Sequence, residues 1–203
     1  MKKKNMNKDK KVQLFKERIL KLAEEVKLET KSTKTSCGST THFLFGDRTS
    51  TQSVVIKFGN RFETLLNQLS TELGVNSHFD NIKKILGHQV DSLRLFNGRL
   101  DYEEQKNNPG LDSEKAPATL KKIKDIKGWL TDTYPQYTVR GCIFHTMTWE
   151  ESDADDFKVH YEKYKKNGIY VKTMKEYFES LSIPMTKKDY NEITNEVRSI
   201  FNS

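Results

Sequence analysis

VDSLRLFNGRLDYEEQK, residues Val90–Lys106, is the stretch whose reading decides the fold. Two alternating runs flank Asn97-Gly98, a pair suited to a two-residue turn whose central residues must accept positive φ. The stretch therefore predicts a β-hairpin. If Phe96 and Arg99 close the turn, Leu95 faces Leu100, Leu93 faces Tyr102, and Asp91 faces Glu104. Side chains alternate between the faces of a strand. One face then carries Asp91, Leu93, Leu95, Leu100, Tyr102, Glu104 and Lys106. The other carries Ser92, Arg94, Arg99, Asp101, Glu103 and Gln105, a list suited to solvent or a groove. A three-residue loop would instead put Asp91 and Glu104 on opposite faces.

The apolar face is the one expected to be buried, yet its open end holds two opposed carboxylates. Directly opposed residues have Cβ atoms about 4.5–5.5 Å apart, and like charges there repel. Burying such a pair is costly unless a proton or a cation neutralises it. Lys106 supplies one positive charge. A divalent ion such as Mg²⁺, which takes hard oxygen ligands, would supply the rest. The same residues also fit a salt-bridged strand end with no chemistry.

Asp91, twelve intervening residues, and then Glu104-Gln105-Lys106 resemble the active-site signature of the PD-(D/E)xK nucleases. Val90 stands where the Pro of that name would be, a departure many members share. The segment EEQKNNPGLDSEKAPATLKKI is similar to a stretch of several type II restriction endonucleases, in which a strand ending in E-x-K runs into an Asn-rich turn and a basic helix. The resemblance covers about residues 54–182. It implies an α/β (α+β) fold with a restriction-endonuclease-like αβββαβ core: a mixed central sheet flanked by helices, plus extra N- and C-terminal helices. It also implies that Asp91 and Glu104 hold Mg²⁺ and that Lys106 assists the attacking water. In that superfamily the helix before the hairpin often brings a further Glu toward the metal, and here that residue would be Glu63. The alternative for Glu63 is a solvent-facing acid near a helix N-terminus, favoured by the dipole.

The wider composition is compatible with this reading. The chain has 203 residues, 34% hydrophobic and 31% charged, which suits one globular domain with a substantial core. Its net charge of +7 suits a polyanionic partner. No run of apolar residues is long enough for a membrane span, and the basic N-terminus lacks the apolar stretch of a secretory signal. Cys37 and Cys142 have no metal-type spacing and read as reduced thiols of a cytoplasmic protein.

Along the chain, residues 1–10 read as a solvated basic tail. Val12, Phe15, Ile19, Leu22 and Val26 form an apolar stripe at helical spacing. The Ser/Thr-rich stretch 30–53 reads as a loop, either one that contacts DNA or a flexible connector with one short strand near His42–Phe45. Its Lys31, Lys34 and Arg48 are residue types that contact phosphates and base edges. Phe62, Leu65, Leu66, Leu69 and Leu73 predict a helix over 59–74. Ile82, Ile85 and Leu86 suggest a short strand leading into the hairpin. Beyond it, Asn107-Asn108-Pro109-Gly110 forms a turn. A helix follows to about Leu130, with Leu120, Ile123, Trp129 and Leu130 inward and Lys115, Lys121, Lys122, Lys124 and Lys127 making it basic. Residues 137–149 read as a buried strand. His145, near its end, is either a structural residue or one that approaches a substrate. The acidic run 150–156 lacks the Gly and terminal Glu of a calcium loop and reads as a loop and helix start. Three helices complete the chain near 154–166, 173–181 and 186–201, forming a cap or part of a dimer interface.

The expected organisation is one nuclease domain over 1–203. Residues 1–30 are its tail and first helix, 54–150 its catalytic core and 151–203 its C-terminal helices. The expected function is that of a bacterial or archaeal type II restriction endonuclease: Mg²⁺-dependent hydrolysis of double-stranded DNA, carried out as a homodimer because two antiparallel strands need two sites. Asp91, Glu104 and Lys106 are the expected catalytic residues, and Asp91, Glu104 and Glu63 the metal ligands. Lys31, Lys34, Arg48, Asn107, Asn108, Lys115, Lys121 and Lys122 are the expected DNA contacts. A non-catalytic basic DNA-binding protein and a repair or structure-specific nuclease are the alternatives.

Overall fold

Asn97 and Gly98 sit at φ 50° and 76°, and the hairpin they close pairs Phe96 with Arg99, Leu95 with Leu100 and Leu93 with Tyr102. This is the two-residue register expected from the sequence. A computed structural model of the chain describes residues 8–32, 51–73, 79, 82–106 and 115–202. In chain order its elements are α1 (Lys8–Ser32), α2 (Thr51–Glu72), β1 (Lys84–Ile85), β2 (His88–Gln89), β3 (Ser92–Phe96), β4 (Arg99–Lys106), α3 (Lys115–Thr133), β5 (Thr138–His145), α4 (Lys158–Lys166), β6 (Tyr170–Lys172), α5 (Met174–Ser180) and α6 (Lys187–Asn202), with two 3₁₀ turns, Glu151–Asp153 and Asp155–Phe157, before α4. The fold is mixed α and β, with a mixed sheet flanked by helices. None of the described helices is long and apolar enough to cross a membrane.

The described residues gather into two compact units. The first, residues 67–185, contains the four-stranded sheet in the order β3-β4-β5-β6. β3 and β4 are antiparallel, whereas β4, β5 and β6 run parallel. The parallel step from β4 to β5 needs a crossover, which α3 supplies. Leu93, Leu100, Tyr102, Ile143 and Val171 form a core on one sheet face with Ile123, Ile126 and Leu130 of α3 and Tyr161 and Tyr164 of α4. Gly141 lets α3 come close to β5, because a Cβ there would lie 2.6 Å from the Ile123 Cγ2 atom. Ile123 is β-branched and fully buried, so it cannot swing aside. Gly141→Ala should therefore cost about 1–3 kcal/mol, read as a lower urea midpoint at unchanged m-value.

The opposite sheet face differs from the expectation. Ser92, Arg94, Asp101, Glu103 and Gln105 are buried rather than solvent-facing. They lie beneath α5 and the last turns of α2: the Arg94 guanidinium sits 4.8 Å over the Tyr177 ring, and Tyr177 stacks on Phe144 at 5.5 Å. Burial is tolerated because the charges pair. The Glu103 carboxylate accepts from Arg94 Nε and Lys172 Nζ, both at 2.5 Å. Asp101 accepts from Arg140 Nε and Nη2, both at 2.8 Å, and from Arg99 Nε at 3.1 Å. Cys142 is buried on this face as a free thiol.

Three further departures are local. Residues 51–53, expected in a loop, begin α2. β1 and β2 form a separate two-residue hairpin around Leu86-Gly87, at φ 51° and 80°. The expected strand at 137–149 ends at His145, and β6 was not expected at all.

The described residues of the second unit, 8–32, 51–66 and 186–202, are mainly helical. The α1 stripe of Phe15, Ile19, Leu22, Ala23 and Val26 is buried, as are Phe62, Leu65 and Leu66 of α2 and Ile193 and Val197 of α6. Phe15 meets Phe62 edge-on at 6.5 Å, and Lys16 pairs with Glu196 at 2.6 Å. α6 thus packs with α1, while α5 covers the sheet.

Candidate active site

The hairpin register continues beyond Ser92 opposite Glu103, so Asp91 comes opposite Glu104 at the open end. Asp91 is fixed twice. Its Oδ2 accepts the Gln105 backbone N–H at 3.1 Å, and its carbonyl oxygen accepts Asn67 Nδ2 at 3.1 Å. The Asn67 Oδ1 atom also takes Gln105 Nε2 at 2.9 Å and Arg94 Nη2 at 3.3 Å. The end of α2 is thereby stitched to both hairpin strands.

Glu104 lies deeper, with its side chain 6% exposed against 23% for Asp91. Lys106 Nζ reaches Glu104 Oε1 at 2.8 Å. The Tyr102 hydroxyl donates to Glu104 Oε2 at 2.8 Å. Lys122 Nζ, from α3, approaches the same Oε2 at 2.5 Å and Asp91 Oδ1 at 3.8 Å. One ammonium group therefore bridges the two carboxylates.

The electrostatics follow from these contacts. Burial, and then the Glu104 charge, raise Asp91 to about 6, against the pull of Lys122, Lys106 and the Gln105 N–H. Burial also opposes the Glu104 charge, but Lys106 and Lys122 outweigh it and hold this carboxyl below its ordinary value. Burial and the Glu104 charge push Tyr164 up to about 12. Two neighbouring carboxylates with divergent affinities for a proton are a common device of catalytic sites.

The expected trio of Asp91, Glu104 and Lys106 is brought together. Lys122, expected among the DNA contacts, joins them. Its helical position, four residues before the buried Ile126, places it on the inward side and was the available signal. Tyr102 and Asn67 were not anticipated. Tyr102 shares the face of Glu104 two residues away, whereas nothing local marks Asn67. Lys121 does not join the site; it is exposed and pairs with Asp125 one turn on, at 2.5 Å. Lys34, Arg48, Asn107 and Asn108 lie outside the described residues, as do the side chains of Lys31 and Lys115. Glu63 is half-buried on the α2 portion that belongs to the helical unit. His145 pairs in register with Lys106, and its Nδ1 meets the Tyr161 hydroxyl at 2.5 Å.

Among the described residues no group of three Asp, Glu, His or Cys side chains is poised as a metal cage. The two-carboxylate set still fits Mg²⁺, which keeps several waters and is bound through one or two carboxylates. Lys122 shows that a single cation can be reached by both Asp91 and Glu104.

No family model matches the chain, no curated protein matches it, and no solved structure matches it.

Proposed function

We propose that this chain is a Mg²⁺-dependent endonuclease with a PD-(D/E)xK core, hydrolysing double-stranded DNA with the sequence specificity of a type II restriction enzyme. The observation that carries the reading is the convergence of Asp91, Glu104 and Lys106 at one strand end, around a point where both carboxylates already meet a cation. The antiparallel hairpin followed by a helix and a parallel strand supports it. So does the net charge of +7.

Asp91 and Glu104 would hold the ion. Mg²⁺ supplies polarisation of the scissile phosphate and stabilises the leaving oxygen. Lys106, held by Glu104, would orient or help deprotonate the attacking water and offset charge in the transition state. Cutting both strands calls for a two-fold dimer, and the setting would be the cytoplasm of a bacterial or archaeal cell.

The pairing of two lysines with Glu104 also favours a second reading, a basic DNA-binding protein whose strand end is merely salt-bridged. One experiment separates the two. Unmethylated phage DNA is incubated with the purified protein in Mg²⁺ or in EDTA, beside Glu104→Ala and Lys106→Ala. Discrete fragments that require Mg²⁺ and both side chains are the expected result. Salt-sensitive binding without cleavage, alike in all three proteins, selects the second reading. Cleavage confined to mismatched or branched DNA points to a repair nuclease.

A further inference from the structure

Resting on the assignment of Asp91 and Glu104 as metal ligands, we propose that Lys122 is an internal stand-in for the metal. It offsets part of the pair's charge in the metal-free protein and must withdraw when the divalent ion enters.

The placement of Lys122 is built rather than incidental. It precedes Ile123, which is fully buried against the sheet where Gly141 admits the helix. The height of this residue over β4 is thus set by core packing. Its side chain is 18% exposed, whereas that of the adjacent Lys121 is 76% exposed and pairs with Asp125 one turn on. Lys122 Nζ meets oxygens of both carboxylates, at 2.5 Å and 3.8 Å. Glu104 is fully engaged: Lys106 holds Oε1, while Tyr102 and Lys122 share Oε2. A divalent ion drawing an oxygen from each carboxylate would therefore sit against the Lys122 ammonium, and the two cations repel. The four-carbon lysine stem can swing without moving the helix, so withdrawal needs no change in the fold. The released ammonium remains at the site mouth, where it can meet a phosphate. Phosphate binding to Lys122 and metal binding to Glu104 then favour each other, and the coupling is reciprocal.

The test uses the full chain and Mn²⁺ alone, without DNA, titrated by electron paramagnetic resonance. Lys122→Met should bind Mn²⁺ at least about tenfold more tightly than the parent, as expected from removing one charge about 4 Å away in a partly solvated site. Lys122→Arg should stay near the parent value. Adding Glu104→Gln to Lys122→Met should erase the gain. A purely structural lysine would weaken the site when lost, the opposite sign. Parent binding with unchanged or weaker affinity in Lys122→Met overturns the proposal while leaving the nuclease reading intact. A gain that survives Glu104→Gln also overturns it, because the ion then sits elsewhere. Absence of Mn²⁺ binding in both folded proteins overturns the proposal together with the ligand assignment.

Discussion

Asp91→Asn is expected to abolish DNA cleavage and, near neutral pH, to make the folded protein more stable. The two effects have one cause. Asp91 is raised from 3.8 to about 6, first by burial and then by Glu104 across the hairpin. Between those values the folded protein keeps a proton that the unfolded chain has lost, so stability falls as pH rises through that window. Above about 6 the ionised Asp91 opposes folding by its full amount. Allowing for the part of its side chain that water reaches, this amounts to about 2 kcal/mol. The neutral amide can still accept the Gln105 N–H while removing the repulsion with Glu104. Urea unfolding of parent and variant at several pH values checks the claim. The variant's advantage should be greatest above pH 6 and shrink toward zero as pH falls to about 4. A variant less stable than the parent at neutral pH would show that Asp91 is structural. A stability gain joined to lost cleavage is the signature of a site that holds charges together for chemistry.

Glu103→Ala should destabilise the protein by about 3–5 kcal/mol, the cost of leaving buried cations without their carboxylate. Glu103 is wholly buried, and Arg94 and Lys172 keep it ionised against the cost of that burial. Without it Arg94 loses this ion-pair partner on the Tyr177 side of the sheet, and among the described carboxylates Lys172 keeps the more distant Asp101, at 3.8 Å. The loss should shrink when Lys172→Met is added, because the orphaned charge is then removed as well. A double-mutant cycle on urea midpoints measures that coupling. A loss under 1 kcal/mol in the single variant would mean that water reaches this face.

These two residues also show what the sequence could convey. The Asn97-Gly98 turn, the hairpin register and hence the meeting of Asp91 with Glu104 were legible, because each follows from spacing over a few residues. The basic helix and the buried strand were legible from their apolar patterns. The burial of Arg94, Asp101 and Glu103 was not. Alternation reports polarity, and here a polar face is covered because its charges find partners far along the chain. Arg140 lies 39 residues from Asp101, and Lys172 lies 69 residues from Glu103. β6 is three residues long, too short to show a period. The β1–β2 turn places Leu86, not a turn-forming residue, at positive φ. In the site, the lysine run around Lys122 does not by itself say which member points inward; only its spacing from the buried Ile126 does.

The long span between Glu103 and Lys172 also bears on the order in which the protein assembles. The β3–β4 hairpin needs only neighbouring residues and can close early, whereas β6 must be delivered across α3, β5 and α4 before Glu103 receives its second cation. Loop closure over such a span has to be met before its contacts give any return. The Arg94 pair can form with the hairpin, but the ionic face is expected to be completed only as β6 docks and brings Lys172. The loss in Glu103→Ala should accordingly appear as faster unfolding with the folding rate little changed. The buried charges would then act as a clasp on the finished sheet, setting how long it stays closed rather than how quickly it forms.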